Sequence, residues 1–76
     1  MTIVAEGDEA EHVFIIIEGH AEAYVDGQKV GDVQKDEIFG AMAVFTREKR
    51  SATVLASEPC TVMVIPKEQF LSLMQS

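Results

Sequence analysis

Three basic side chains fall within four positions of a chain that is otherwise acidic. Arg47, Lys49 and Arg50 are half of the six Lys and Arg residues, against thirteen Asp and Glu and a net charge of -7. They follow "GAMAVF", a run that suits one or two helical turns starting at Gly40. A helix N-terminus offers free N–H donors, and a guanidinium can hold two oxygens of one anion. The segment therefore indicates either an anion site or the solvated end of a loop.

The other reactive side chains give no support to catalysis or to metal binding. His12 and His20 are eight residues apart, and each is expected at a strand end or turn, not in a ligand set. Ser51 has no nearby His and Asp to activate it, and the carboxylates are scattered across turns. Cys60 has no partner cysteine, so a buried structural role is expected. We expect no enzyme activity, no metal and no required cofactor.

Size, composition and charge limit the class of protein. Seventy-six residues predict one small domain over residues 1–76, with a thin core and a marginal monomer. The acidic balance argues against a nucleic-acid surface, which needs Lys and Arg spread over a face. The start of the chain has no leader pattern, and no uninterrupted apolar run is longer than the five residues from Val13 to Ile17, which is too short to span a bilayer. We expect no membrane contact and a cytoplasmic location.

The elements that must position these residues are mostly strands. "TIVAEGDEAEH" predicts a short strand that ends at a turn, and "HVFIIIEG" predicts a strand buried on both faces and broken or bulged at Gly19. "HAEAYV" alternates and leads to Asp26-Gly27, a strong hairpin signal before the return strand "KVGDV". "SATVLA" and "TVMVIP" add two strands. This spacing of strands and turns is typical of a small sandwich or barrel-like roll.

Two helices are expected beside the strands. The first is the short segment that follows Gly40. The second is "PKEQFLSLMQS", with Pro66 as its first helical residue. Phe70, Leu73 and Met74 are spaced to share one face of that helix.

Six short motifs occur in order along the chain: Glu6-Gly7-Asp8, Ile17-Glu18-Gly19, Asp26-Gly27, Phe39-Gly40, Arg50-Ser51-Ala52-Thr53, and Ile65-Pro66 ahead of a helix with Phe70. Their order resembles that of the cyclic nucleotide-binding domain family, which includes catabolite-activator proteins, protein kinase A regulatory subunits and gated ion channels. The resemblance covers Glu6 to Met74. It implies an all-β fold, a small jelly-roll or double-stranded β-helix roll with a short cassette helix and a C-terminal helix.

The resemblance also implies a phosphate-binding cassette. Backbone N–H groups at the start of the cassette helix would hold a cyclic phosphate, and Arg50 would pair with it. The implied ligand-binding residues are Gly40, Ala41, Met42, Arg50, Ser51 and Ala52. The implied function is noncatalytic sensing of a small anionic ligand, with cyclic AMP (cAMP) or cyclic GMP (cGMP) as the candidates.

The chain departs from the family pattern at three positions. Ala41 stands where nucleotide-binding members carry a Glu that accepts a hydrogen bond from the ribose 2'-hydroxyl, Asp36 replaces a glycine, and Lys49 replaces a proline. We also expect the chain to lack the helices that usually flank the family roll, which predicts bare apolar surface and a homo-oligomer or protein partner. The alternative function is therefore a degenerate roll that serves as an interaction or oligomerisation module without nucleotide.

Overall fold

Strands and two helices form the fold over residues 2–75, the part of the chain that this computed structural model describes. The strands are β1 (Thr2–Val4), β2 (His12–Glu18), β3 (Ala21–Val25), β4 (Gln28–Val33), β5 (Ile38–Phe39), β6 (Thr53–Ala56) and β7 (Thr61–Pro66). The helices are α1 (Ala41–Thr46) and α2 (Lys67–Gln75). The expected end of the second helix at Ser76 lies outside the described residues.

The strands pair into two antiparallel sheets. One sheet has the order β1-β6-β3-β4 and the other has the order β5-β2-β7. The chain passes repeatedly from one sheet to the other, so that β6 and β7, which are neighbours in sequence, lie in different sheets. The predicted all-β roll with a short helix and a C-terminal helix is confirmed.

The β3–β4 hairpin has the turn chemistry that the sequence indicates. Asp26 and Gly27 both have positive φ, at 51° and 81°, as a two-residue turn between right-twisted strands requires. Ala21 pairs with Val33 at the other end of the ladder. The hairpin places β3 beside β6 and leaves β4 at the sheet edge.

Two clusters of buried side chains form the core, and β2 contributes to both. Val13 packs with Val44 of α1 and Phe70 of α2. Ile16 packs between the sheets with Ala21 and Val54. The strand therefore carries the helices on one face and the roll interior on the other.

Several local expectations are wrong. Ile17 is exposed, so β2 is not buried along its full length on both faces. The sequence pattern misses β5, whose two residues are too short for a periodicity. Pro66 ends β7, paired with His12, and α2 begins one residue later.

The three apolar residues spaced along one face of α2 differ in exposure. Phe70 is buried in the cluster around Val13, whereas Leu73 and Met74 are 62% and 60% exposed. Only Phe70 and Leu71 of this helix belong to the cluster around Val13, so the last turn of α2 projects past the core.

Cys60 is half-buried, in contrast to the buried position expected. Its Sγ lies 3.2 Å from the carbonyl oxygen of His20 and donates to it. The thiol lines an open apolar groove at the β1 end of the roll. Neither helix in residues 2–75 is long and apolar enough to cross a membrane.

Candidate functional site

Arg50 is buried, with 6% of its surface exposed, and its contacts join three segments of the chain. Nη1 donates to the Gly40 carbonyl oxygen at 2.8 Å, and Nη2 donates to the His12 carbonyl oxygen at 2.6 Å. The Arg50 backbone N–H donates to the backbone carbonyl oxygen of Asp8, and the Arg50 carbonyl oxygen accepts from the backbone N–H of Gly7, both at 2.8 Å. One residue thus connects the loop after β1, the start of β2 and the junction of β5 with α1.

The charge of Arg50 is not neutralised by an ion pair. Among residues 2–75 no carboxylate forms a salt bridge with it. Burial lowers the pKa of the guanidinium, and the field of Asp8 opposes that shift. A guanidinium has five N–H donors, so donors remain after the two bonds to carbonyl oxygens. Because a buried charge without a counter-ion is costly, the arrangement favours an anion at this position.

Gly40 allows the guanidinium to come this close to the backbone. It is the N-cap of α1 with φ 85°, a left-handed conformation that favours glycine. A Cβ at this position would lie 2.5 Å from Nη1 of Arg50. No side chain caps the first turn of α1, and that turn contains no acidic residue that would repel an anion.

A cavity of about 210 Å³ lies between the roll interior and α1. Its lining residues are Val4, Ala23, Val33, Phe39, Gly40, Met42, Ala43, Arg50, Ser51, Ala52 and Val54. Within the described part of the chain, Arg50 is the one charged residue of this lining and Ser51 is the one hydroxyl. The cavity therefore offers a cationic end and an apolar wall to a ligand.

The structure brings five of the six predicted site residues to this cavity. They are Gly40, Met42, Arg50, Ser51 and Ala52. Ala41 does not line it and packs instead against the buried cluster around Val13. That these residues contact a ligand stays a prediction.

The three clustered basic residues have separate roles. Arg47 is exposed at the C-cap of α1, with φ 60°. Lys49 is 68% exposed at its side chain and lies 3.6 Å from Glu9. The solvated-loop interpretation therefore holds for these two residues, and Arg50 alone faces inward.

Sequence reasoning misses the partners that hold Arg50. The His12 carbonyl is a backbone group, and every residue type has one, so the residue type at position 12 does not predict this hydrogen bond. Phe14 lies under the guanidinium, with 5.6 Å from Arg50 Cζ to the ring centroid, and it stacks on Phe39. The β2–β5 register that pairs Phe14 with Phe39 depends on the short strand that the sequence does not reveal.

A second polar cluster lies on the surface of β4, β3 and the residue just before β3. His20, Glu22 and Asp32 place ligand atoms within 4.8 Å of one another, a spacing that could hold a metal ion. The Lys29 ammonium already lies 2.9 Å from both carboxylates, and His20 Nε2 lies 2.9 Å from Asp32. Hydrogen bonds from Lys29 are the first cause of the lowered pKa of both acids. The Lys29 ammonium thus already supplies the positive charge that a metal ion would bring to these carboxylates.

Comparison with known proteins gives the class that this fold and cavity define. The family model of the cyclic nucleotide-binding domain matches residues 1–76. The cAMP-dependent protein kinase regulatory subunit of Yarrowia lipolytica is 31% identical over 72 residues, which cover 95% of this chain and 19% of that relative. The chain belongs to the cyclic nucleotide-binding domain family.

Solved structures of related proteins superpose closely on the chain. The cAMP-bound structure of PfPKA-R has a TM-score of 0.94 and 31% identity over 97% of this chain and 26% of that one. The EAL enzyme Bd1971 in its cGMP-bound form has a TM-score of 0.91 and 30% identity over 100% of this chain and 22% of that one. The chain thus spans about a fifth to a quarter of the length of these relatives.

Proposed function

We propose that this chain is a noncatalytic sensing domain that binds a cyclic nucleotide in the Arg50 cavity, with cAMP and cGMP as the ligands to test. The observation that carries the proposal is a buried arginine that forms no salt bridge among residues 2–75 and faces a cavity whose other described lining residues, apart from Ser51, are apolar. A phosphate would supply the missing negative charge. The cAMP-bound and cGMP-bound states of structural relatives support this ligand class.

The arrangement supports a specific binding mode. The remaining guanidinium donors of Arg50 would hold the phosphate oxygens, and the amides at the uncapped start of α1 would add neutral donors. The hydroxyl of Ser51, the residue after Arg50, would donate a hydrogen bond to a phosphate oxygen. The apolar wall formed by residues such as Val33 and Val54 suits the face of a base.

Recognition of the ribose is the weak point of this cavity. Its described lining includes no carboxylate, and the Ala41 side chain has no group that could accept a hydrogen bond. If the family contact to the 2'-hydroxyl is absent, about 1.5–3 kcal/mol is lost, or roughly 10- to 150-fold in affinity. We therefore expect weaker binding than a complete cassette gives, with the phosphate supplying most of the affinity.

Isothermal titration of the 76-residue chain with cAMP and cGMP tests the proposal. We expect saturable binding, and Arg50→Ala should weaken it by roughly 10- to 150-fold because a charge-assisted hydrogen bond is removed. Lys49→Ala is the matched control, since it removes an exposed charge from the same loop and should change affinity less than about fivefold. No binding by the wild-type chain, or equal losses in both variants, would contradict the proposed site.

The lining of the cavity also supports a noncatalytic role. Within residues 2–75 it contains no histidine, cysteine or carboxylate that could act as a nucleophile or general base. Curated relatives include regulatory subunits and the cGMP-dependent protein kinase of Plasmodium berghei, of which the match covers 7%.

We propose that a protein partner binds differently to the ligand-free and ligand-bound forms of this chain. The cytoplasmic location stays a prediction, which cell fractionation would test.

A second candidate function, self-association, rests on an apolar row across the β5-β2-β7 sheet. Ile15 pairs with Ile38 on one side and with Met63 on the other, and the latter two are each 49% exposed. Ile15 is two residues after Val13 in β2, so this row lies on the same face of the sheet as Val13, where α1 and α2 pack. Sedimentation of the chain at high micromolar concentration tests this candidate. A dimer that Met63→Glu dissociates would support it, and a stable wild-type monomer would contradict it.

A further inference from the structure

The guanidinium of Arg50 rests on an aromatic pair that the proposed binding mode does not use. Its Cζ lies 5.6 Å from the centroid of the Phe14 ring, within the distance at which a cation is attracted to a ring face. Phe14 in turn stacks on Phe39, with centroids 5.2 Å apart and ring planes at 17°. Phe39 lines the cavity, whereas Phe14 lies outside its lining.

The hydrogen-bond and ring partners of the guanidinium are all uncharged, and the acid that acts on it, Asp8, does so through its field and not through a salt bridge. Two carbonyl oxygens, of Gly40 and His12, fix two nitrogens in the guanidinium plane, and the Phe14 ring is the aromatic partner. Partners of this kind restrict the orientation of a cation and leave its net charge intact. A carboxylate in the same place would restrict the side chain equally well, but it would cancel much of the attraction to an anion.

We propose that Phe14 is a positioning residue for the anion site, acting through Arg50 and not through contact with the ligand. This inference rests on the proposed function for its effect on affinity, while the contact itself can be measured without any ligand. Loss of the ring would leave the charge in place but less well oriented, so that affinity falls although no ligand contact is removed.

Titration of Phe14→Leu and Phe14→Tyr with cAMP tests the effect on binding. We expect Phe14→Leu to weaken binding by about 5- to 30-fold, the range of a desolvated cation–π contact. Phe14→Tyr keeps the ring and should stay within about threefold of wild type. Val64→Ala is the matched control, because Val64 pairs with Phe14 across the β2–β7 ladder and does not line the cavity, and it should leave affinity unchanged within about twofold.

A double-mutant cycle on urea unfolding separates positioning from simple packing. Phe14→Leu is measured in the wild-type chain and in an Arg50→Met background, which removes the cation and keeps an extended side chain. A contact between the two groups predicts a smaller loss of stability in the Arg50→Met background.

Each outcome of these measurements decides the inference. Equal losses in the two backgrounds, or unchanged cAMP affinity in a folded Phe14→Leu variant, would overturn it. If wild type binds neither cAMP nor cGMP, the proposed function fails, and the positioning of an anion site fails with it. In that case, the unfolding cycle still shows whether Phe14 holds Arg50.

Discussion

Arg50 and Lys29 are two cations of the same small chain in opposite surroundings. Arg50 is buried and held by backbone carbonyls and an aromatic ring. Lys29 is on the edge strand β4 with its side chain 44% exposed, and its ammonium lies 2.9 Å from carboxylates of Glu22 and Asp32. The first cation keeps its charge unpaired by any described acid, and the second is matched by two acids.

This difference shows that the position of a charge matters more than the count of charges. Water screens the Lys29 network, and exposed ion pairs of this kind contribute little to stability. In the drier interior the same unit charge acts much more strongly, which makes Arg50 costly without an anion and effective with one. A net charge of -7 thus coexists with the inward-facing cation of Arg50, where we propose that a negative ligand binds.

The largest effect is expected from Gly40→Ala, which forces the unpaired cation out of its place. A left-handed φ costs alanine about 1–2 kcal/mol, and displacement of Arg50 Nη1 sacrifices a charge-assisted hydrogen bond of about 1.5–3 kcal/mol. We expect the free energy of unfolding to fall by about 3 kcal/mol in urea titration, together with loss of cAMP binding.

Gly27→Ala is the matched control for that variant. Gly27 has φ 81°, close to the 85° of Gly40, but no atom lies within 4 Å of the position of its Cβ. Only the backbone term should remain, at about 1–2 kcal/mol. Equal losses in the two variants would mean that the approach of Arg50 to Gly40 contributes nothing.

The sequence predicts the fold well where a local signal and the tertiary structure agree. The Asp26-Gly27 turn and the alternating β3 are such cases, because turn chemistry and period are local properties. The two-residue β5 has no period to detect. The exposure of Leu73 depends on where the core ends, which helix spacing does not specify.

The candidate site is predicted less completely than the fold. Arg50 and Gly40 follow from motif order, but charge spacing alone does not separate Arg50 from its exposed neighbours Arg47 and Lys49. Burial makes that separation, and burial depends on contacts with residues distant in sequence. The carbonyl of His12 illustrates the limit, since any residue type at that position would provide the same oxygen.

A smaller effect is expected from Ala41→Glu, which adds an acid directly after Gly40, the residue whose carbonyl oxygen accepts from Arg50. The family resemblance implies that a carboxylate here accepts a hydrogen bond from the ribose 2'-hydroxyl. We expect cAMP affinity to rise by about 1.5 kcal/mol, roughly tenfold, as measured by isothermal titration.

The ligand itself supplies the control for Ala41→Glu. Affinity for 2'-deoxy-cAMP should not rise, because that ligand lacks the hydroxyl that the new carboxylate would bind. Ala41 packs against the cluster around Val13, so a lower melting temperature without any gain in cAMP affinity would show that the carboxylate cannot reach the cavity.

The smallest effect on stability is expected from Lys29→Met, which removes the cation that is paired with Glu22 and Asp32. Lys29 lowers the pKa of Glu22 and Asp32 below their ordinary values of 4.5 and 3.8, so their contribution is full above those values and is lost as pH falls through the lowered ones. The pKa of Lys29 is raised, and its contribution is lost only in strong alkali. Melting temperatures at about pH 7 and pH 3 should therefore differ less in Lys29→Met than in wild type. Lys35→Met is the control, and an equal change there would attribute the effect to net charge alone.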